Sequence, residues 1–172
     1  MGIPYRAGQF LHLLTAKRKR DHRRSVYQIL DPSMAALFFR MSDPDQSHSI
    51  RVLQTLVDQG EENSDLLSAA LLHDVGKSLY PLRAWERSLV VVANRILPNQ
   101  VLKWGQGEPH GWQTPFVVAL QHPEWGAALV RHEGGSETLV TLIRFHQEQV
   151  PSSVGDDVRE LMKRLKAADG MN

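Results

Sequence analysis

The apolar residues of this chain recur at three- and four-residue spacing along most of its length, and no segment alternates apolar with polar residues over the length of a strand. That periodicity belongs to helices packed by one face, so it predicts an all-α fold. Start and stop signals divide it into elements. Phe10, Leu11 and Leu14, then Val26, Ile29 and Leu30, predict two N-terminal helices or one interrupted helix. Asp31-Pro32 reads as an N-cap with proline in the first turn; Asp43-Pro44-Asp45-Gln46 repeats the signal, with Gln46 placed to close a capping box. Further helices are expected from Asn63 or Ser64 to His73 and Asp74, from Pro81 to near Pro98, and from Ser136 to about Gln149; a last one begins near Asp156 and runs through Leu165 and Ala168. Pro115 starts a short helix that the His122-Pro123 bond is expected to interrupt, because the residue before a proline avoids the α region, with a fresh helix from Pro123 to about Arg131. Residues 99–114, rich in Gly, Trp and polar types, read as a loop, and the four tryptophans as core or loop anchors.

A length of 172 residues fits one domain, here a core of residues 44–172 with residues 1–43 as a helical extension packed on it. An apolar fraction of 42% supplies one sizeable core. The formal net charge of +1 argues against a dedicated polyanion binder, yet Lys17, Arg18, Lys19, Arg20, Arg23 and Arg24 make residues 17–24 strongly basic. A solvated face is the preferred reading of that run. Contact with nucleic acid or an anionic membrane, through the amphipathic stretch around Phe10 and Leu14, and steering of an anionic substrate remain open. No run approaches the roughly 18 apolar residues of a membrane span, the N-terminus lacks a signal-peptide layout, and a cytoplasmic location is expected. Oligomeric state is not legible.

There is no cysteine, which excludes disulfides and thiolate metal sites; a metal must be held by imidazole and carboxylate, and eight histidines make that possible. The informative string is Leu71-Leu72-His73-Asp74-Val75-Gly76-Lys77. It closes an almost continuously apolar helix, so His73 and Asp74 are expected at the end of a buried element. A buried carboxylate must be paired, protonated or bound to a cation. A structural ion pair is one reading; the other is a metal off the helix end, between the two side chains, with Gly76 turning the backbone away and Lys77 set beside any anion the metal holds. His48, in the first turn of its helix, His122, His146 and Asp169 fall on core-facing positions of other expected helices. Mixed imidazole and carboxylate donors suit a divalent transition metal (Mn, Fe, Co, Ni or Zn) better than Mg alone.

His48, His73-Asp74 and Asp169 together resemble the H…HD…D pattern of the HD-domain superfamily. His122-Pro123-Glu124-Trp125-Gly126 is similar to the HPxxG element, and Ile143 to Glu148 to the HHE element, of its two-metal branch. The resemblance covers roughly residues 44–169 and implies an HD-domain helical bundle with one or two metal ions. His48, His73, Asp74 and Asp169 would bind one ion, with Asp74 bridging to a second on His122 and His146. It further implies a phosphohydrolase, a phosphatase or phosphodiesterase, acting on a nucleotide or other small phosphate ester by metal-activated water, with Asp74 and Lys77 catalytic and Lys77 and Arg51 holding the phosphate. Gln147 stands where two-metal members carry a second histidine, which brings a mononuclear centre into view. Asp169 is followed only by Gly170, Met171 and Asn172, where fraying threatens unless a metal anchors the end. An inactive regulatory or ligand-binding module, or an adaptor working through the basic N-terminal segment, is the alternative.

Overall fold

Short polar side chains open four of the helices. In a computed structural model that describes residues 23–172, α1 covers 23–29, α2 Pro32–Phe39, α3 Asp43–Asp58 and α4 Ser64–Leu72. A 3-10 turn, Val75–Leu79, follows, then α5 (Ala84–Ile96), α6 (Pro98–Gly105), a 3-10 turn at Gly111–Gln113, α7 (Thr114–His132), α8 (Glu137–Arg144) and α9 (Asp156–Gly170). Among the described residues there is no strand, and no helix is long and apolar enough to cross a membrane. The side chains of Asp31, Ser42, Asn63 and Ser136 each accept the backbone N–H three residues on, which satisfies one of the donors a helix start leaves open.

Helix α4 is the axis of the core. Leu66 and Ala69 to Leu72 are completely buried, among residues from α1, α2, α3, α7, α8 and α9. Val26, Leu30, Met34 and Phe38 belong to this same core, so the described part of the N-terminal extension is packed into it. The expected helices at Phe10 and Leu14 lie outside the described residues. A smaller apolar cluster, Ala93, Val101 and Phe116 backed by Val90 and Trp104, joins α5 and α6 to α7.

Several boundaries differ from the expectation. The N-cap of α3 is Ser42 rather than Asp43. Asp45 returns a carboxylate to the Ser42 hydroxyl at 2.6 Å, and Gln46 instead donates to the Met41 carbonyl at 2.7 Å. His48 therefore sits in the second turn. Residues 99–114 are largely helical, because Pro98 opens α6 rather than ending α5, as a proline at N1 loses no bond that a helix start would have made. Helix α5 begins at Ala84, three residues after Pro81, and α8 stops at Arg144. Helix α7 runs unbroken through Pro123. The carbonyl that Pro123 cannot serve is Ala119 O, and the neighbouring imidazole supplies a donor: His122 Nδ1 lies 3.1 Å from Ala119 O and 2.9 Å from Val118 O. Trp85 and Trp112 are exposed rather than anchors of a core.

One ion pair ties α5 to the start of α3. Arg87 lays its guanidinium on Asp45 with both nitrogens, at 2.5 and 2.9 Å, and also reaches Ser42 Oγ at 3.1 Å. Burial alone would raise the Asp45 carboxyl; the hydrogen bonds from Arg87 and Ser42 outweigh it and hold the group below its ordinary value. With Arg87 one-third exposed, Asp45→Asn is expected to cost about 1–3 kcal/mol at neutral pH. A depressed carboxylate stabilises the fold above its unfolded value of about 4, and the contribution fades as pH falls through the lower folded value. Urea melts of parent and variant should therefore differ at pH 7 and converge in acid.

Candidate metal centre

Three helix defects set the centre. His73 is the C-cap of α4 and Asp74 the residue where the chain turns into the 3-10 segment. His122 precedes Pro123 within α7. His146 lies just past the end of α8. In each case the imidazole Nδ1 faces a backbone carbonyl: Ala70 O at 3.1 Å from His73, Val118 O at 2.9 Å from His122 and Ile143 O at 2.7 Å from His146. A carbonyl only accepts, so each Nδ1 carries a proton, and in the neutral ring Nε2 is then the nitrogen with the lone pair. Those three Nε2 atoms are buried and have no hydrogen-bond partner.

They converge on one place. Neighbouring rings stand 5.2–5.3 Å apart in the order His48, His73, His146, His122. Asp74, 4% exposed, lies among them: its Oδ1 is 3.2 Å from His122 Nε2 and 3.8 Å from His146 Nε2, and its Oδ2 is 3.7 Å from His73 Nε2. Asp169 projects from the last turn of α9, with Oδ1 2.8 Å from His48 Nε2 and 3.5 Å from His73 Nε2. Two groups result, His48–His73–Asp169 and Asp74–His122–His146, each with its ligand atoms within 4.8 Å of one another. Donors bound at about 2.0–2.2 Å to one cation stand roughly 3–3.5 Å from each other, so these side chains fit a metal with little movement. An orphaned imidazole lone pair in a dry interior is costly otherwise.

The electrostatics agree with this geometry. Burial would raise the Asp74 carboxyl, but His73, Lys77 and His122 hold it well below the usual carboxylate range. Burial, with His73 and His122 close by disfavouring a further positive charge, pushes His146 down to about 3. At neutral pH the centre therefore offers a carboxylate and a neutral imidazole, the forms that ligate. Asp169 is likewise lowered: burial opposes, and the hydrogen bond from His48 prevails.

Lys77 Nζ lies 2.6 Å from Asp74 Oδ2 and lines a cavity of about 360 Å³ that opens beside the centre. The cavity is also bounded by Arg87, Val91, Asn94, His122 and Gln147. Arg51 is exposed and does not line it. Sequence reasoning passed over Arg87, Val90, Val91 and Asn94, although their spacing of three and four along α5 was a signal that one helix face turns toward the site. It assigned Gly76 only the turning of the backbone away from the helix end. Gly76 is instead where the 3-10 turn touches α7: a Cβ there would lie 2.0 Å from His122 O and 2.7 Å from Gly126 N.

The HD domain family model matches residues 46–170, which span every candidate ligand. The chain belongs to the HD domain family. No curated protein and no solved structure matches it. As a member of this family it is expected to bind a divalent metal, and the buried histidine and aspartate groups of this HD domain are chemically suited to that. Asp169 is tied in place by its own surroundings: besides the His48 bond, Asn172 Nδ2 ties the end of α9 to Thr55 Oγ1 at 2.9 Å and Ala168 O at 2.8 Å.

Because backbone rather than flexible side chain faces Gly76, Gly76→Ala must part the turn from α7. We expect a loss of about 3 kcal/mol and a fall in bound metal. Gly155→Ala, with open space around it and an ordinary φ of −60°, should change neither. Thermal melts and elemental analysis of the two variants read the difference.

Proposed function

We propose that this HD domain is a metal-dependent phosphohydrolase that cleaves a nucleotide or other small phosphate ester. The observation that carries the reading is the convergence of three buried, partnerless Nε2 atoms on Asp74, beside a cavity that opens at Lys77. His48, His73 and Asp169 would hold one divalent transition ion, with Asp74 shared toward a second on His122 and His146. Ions held there would supply an acidified water as nucleophile and neutralise charge on the phosphoryl group. The protein does the positioning. The carbonyls of Ala70, Val118 and Ile143 fix the imidazoles; hydrolysis would form a bond from the water oxygen to phosphorus and break the P–O bond to the alcohol, which departs with a proton from solvent.

Lys77 is the cation placed to meet the phosphate. Its ammonium is paired with Asp74, and an anionic phosphate in the cavity competes for it directly. Arg87 has its fork on Asp45 and shapes the wall rather than gripping the substrate, and Arg51, being exposed away from the cavity, leaves Lys77 as the phosphate ligand. A second reading rests on Gln147, which lines the cavity in place of a stronger ligand: a module that holds metal and a phosphorylated ligand without turnover.

Elemental analysis of protein purified without chelator separates the possibilities. The parent should carry one or two transition ions, His73→Ala should lose at least one, and His122→Ala should lose a different one if the centre is dinuclear. A parent free of metal would refute the proposal. In a phosphoester panel with Mn, Fe, Co or Ni, Lys77→Met should lower kcat on the order of 100-fold with metal content unchanged. Stoichiometric metal with tight, unhydrolysed nucleotide would favour the second reading.

A further inference from the structure

Helix α5 has two working faces. Arg87, Val91 and Asn94 line the cavity. On the opposite side Trp85, Leu89, Val92 and Ile96 follow one another at steps of four, three and four residues, the spacing of a helix–helix seam, yet they are 59%, 40%, 54% and 67% exposed. No described element covers them. Leu97 extends the exposed face, and Trp112 (63% exposed) closes it, packed edge-on to Trp104 at 5.2 Å. The stripe and the aromatic pair bound a groove of about 320 Å³ in which Leu89, Val92 and Ile96 face Trp104, Trp112 and Phe116.

We propose that this face is an isologous dimer interface, in which α5 of one copy lies antiparallel along α5 of another. The pattern is its own complement when reversed: Trp85 meets Ile96, and Leu89 meets Val92, on both sides of the two-fold axis. Reversal also keeps the flanking Glu86 and Arg95 from facing a like charge. The size fits. Two tryptophans and four aliphatic residues, about half exposed, offer on the order of 700 Å² per copy, against about 800 Å² per partner in a standard interface. An apolar patch of that extent is unusual on a monomer. Pairing braces the helix whose far side walls the cavity, so the dimer holds the substrate wall in place. The inference is independent of the hydrolase reading, because its readout is mass rather than turnover.

Sedimentation of the full chain should show a dimer at micromolar concentration. Val92→Glu with Ile96→Glu, both at exposed positions, should weaken it about 100-fold or more with an unchanged far-ultraviolet spectrum. The chain has no cysteine of its own, so oxidative cross-linking reads the register: Trp85→Cys mixed with Ile96→Cys should cross-link, and Ile96→Cys alone should not. A parent that is monomeric overturns the proposal. If such a monomer dimerises when Phe10→Ser and Leu14→Ser are introduced, the chain's own N-terminal segment covers the face. If it binds phosphatidylglycerol vesicles and the glutamate variant does not, a bilayer covers it. A dimer that survives both glutamates, or cross-links only through Ile96 alone, equally overturns it.

Discussion

Three hydrogen bonds from imidazole N–H groups to backbone carbonyls govern the rest of the centre. Each carbonyl lies where a helix ladder is ending or interrupted: Ala70 in the last turn of α4, Ile143 in the last turn of α8, and Val118 and Ala119 one turn before Pro123. Such carbonyls need donors. Histidine placed there satisfies the backbone and, by the same bond, fixes its own tautomer and points the other nitrogen inward. Replacing that histidine leaves the carbonyl without its donor and removes the inward-facing nitrogen, so the local secondary structure and the site are one arrangement.

Asp74 turns these three positions into a single centre. Its carboxylate is buried between His73, His122 and His146, with Lys77 on its outer oxygen. It can stay ionised there only because positive or cation-seeking groups surround it. That requires α4, the following turn and α7 to approach within backbone contact, which the missing side chain of Gly76 permits. The family string thus carries two separate physical jobs: it sets His73 and Asp74 among the other buried imidazoles, and it allows the close approach at residue 76.

Helix α5 contributes differently. It is tied to α3 by the Asp45–Arg87 pair and to α6 and α7 by a small apolar cluster, and it stands outside the main core. A helix held at its edges can form a cavity wall on one side while leaving a second face for a partner. The cavity beside the metal centre and the exposed stripe are therefore two consequences of one position in the fold.

Much of the architecture was legible in the chain's own pattern. Helical periodicity, the caps at Asp31, Asn63 and Ser136, and the string ending in His73-Asp74 depend on neighbours three or four residues away, so a sequence displays them directly. The errors fell where a distant or side-chain partner overruled a local rule: Pro123 continues its helix because His122 replaces the missing donor, and Pro98 joins α6 to α5 rather than closing a loop. The pairing of His48 with Asp169, 121 residues apart, the absence of Arg51 from the cavity and the contact at Gly76 arise only when helices pack, because spacing along a chain does not specify which helix faces which. Residue chemistry determined what kind of centre this protein can build; tertiary packing decided where its atoms meet and which faces remain open.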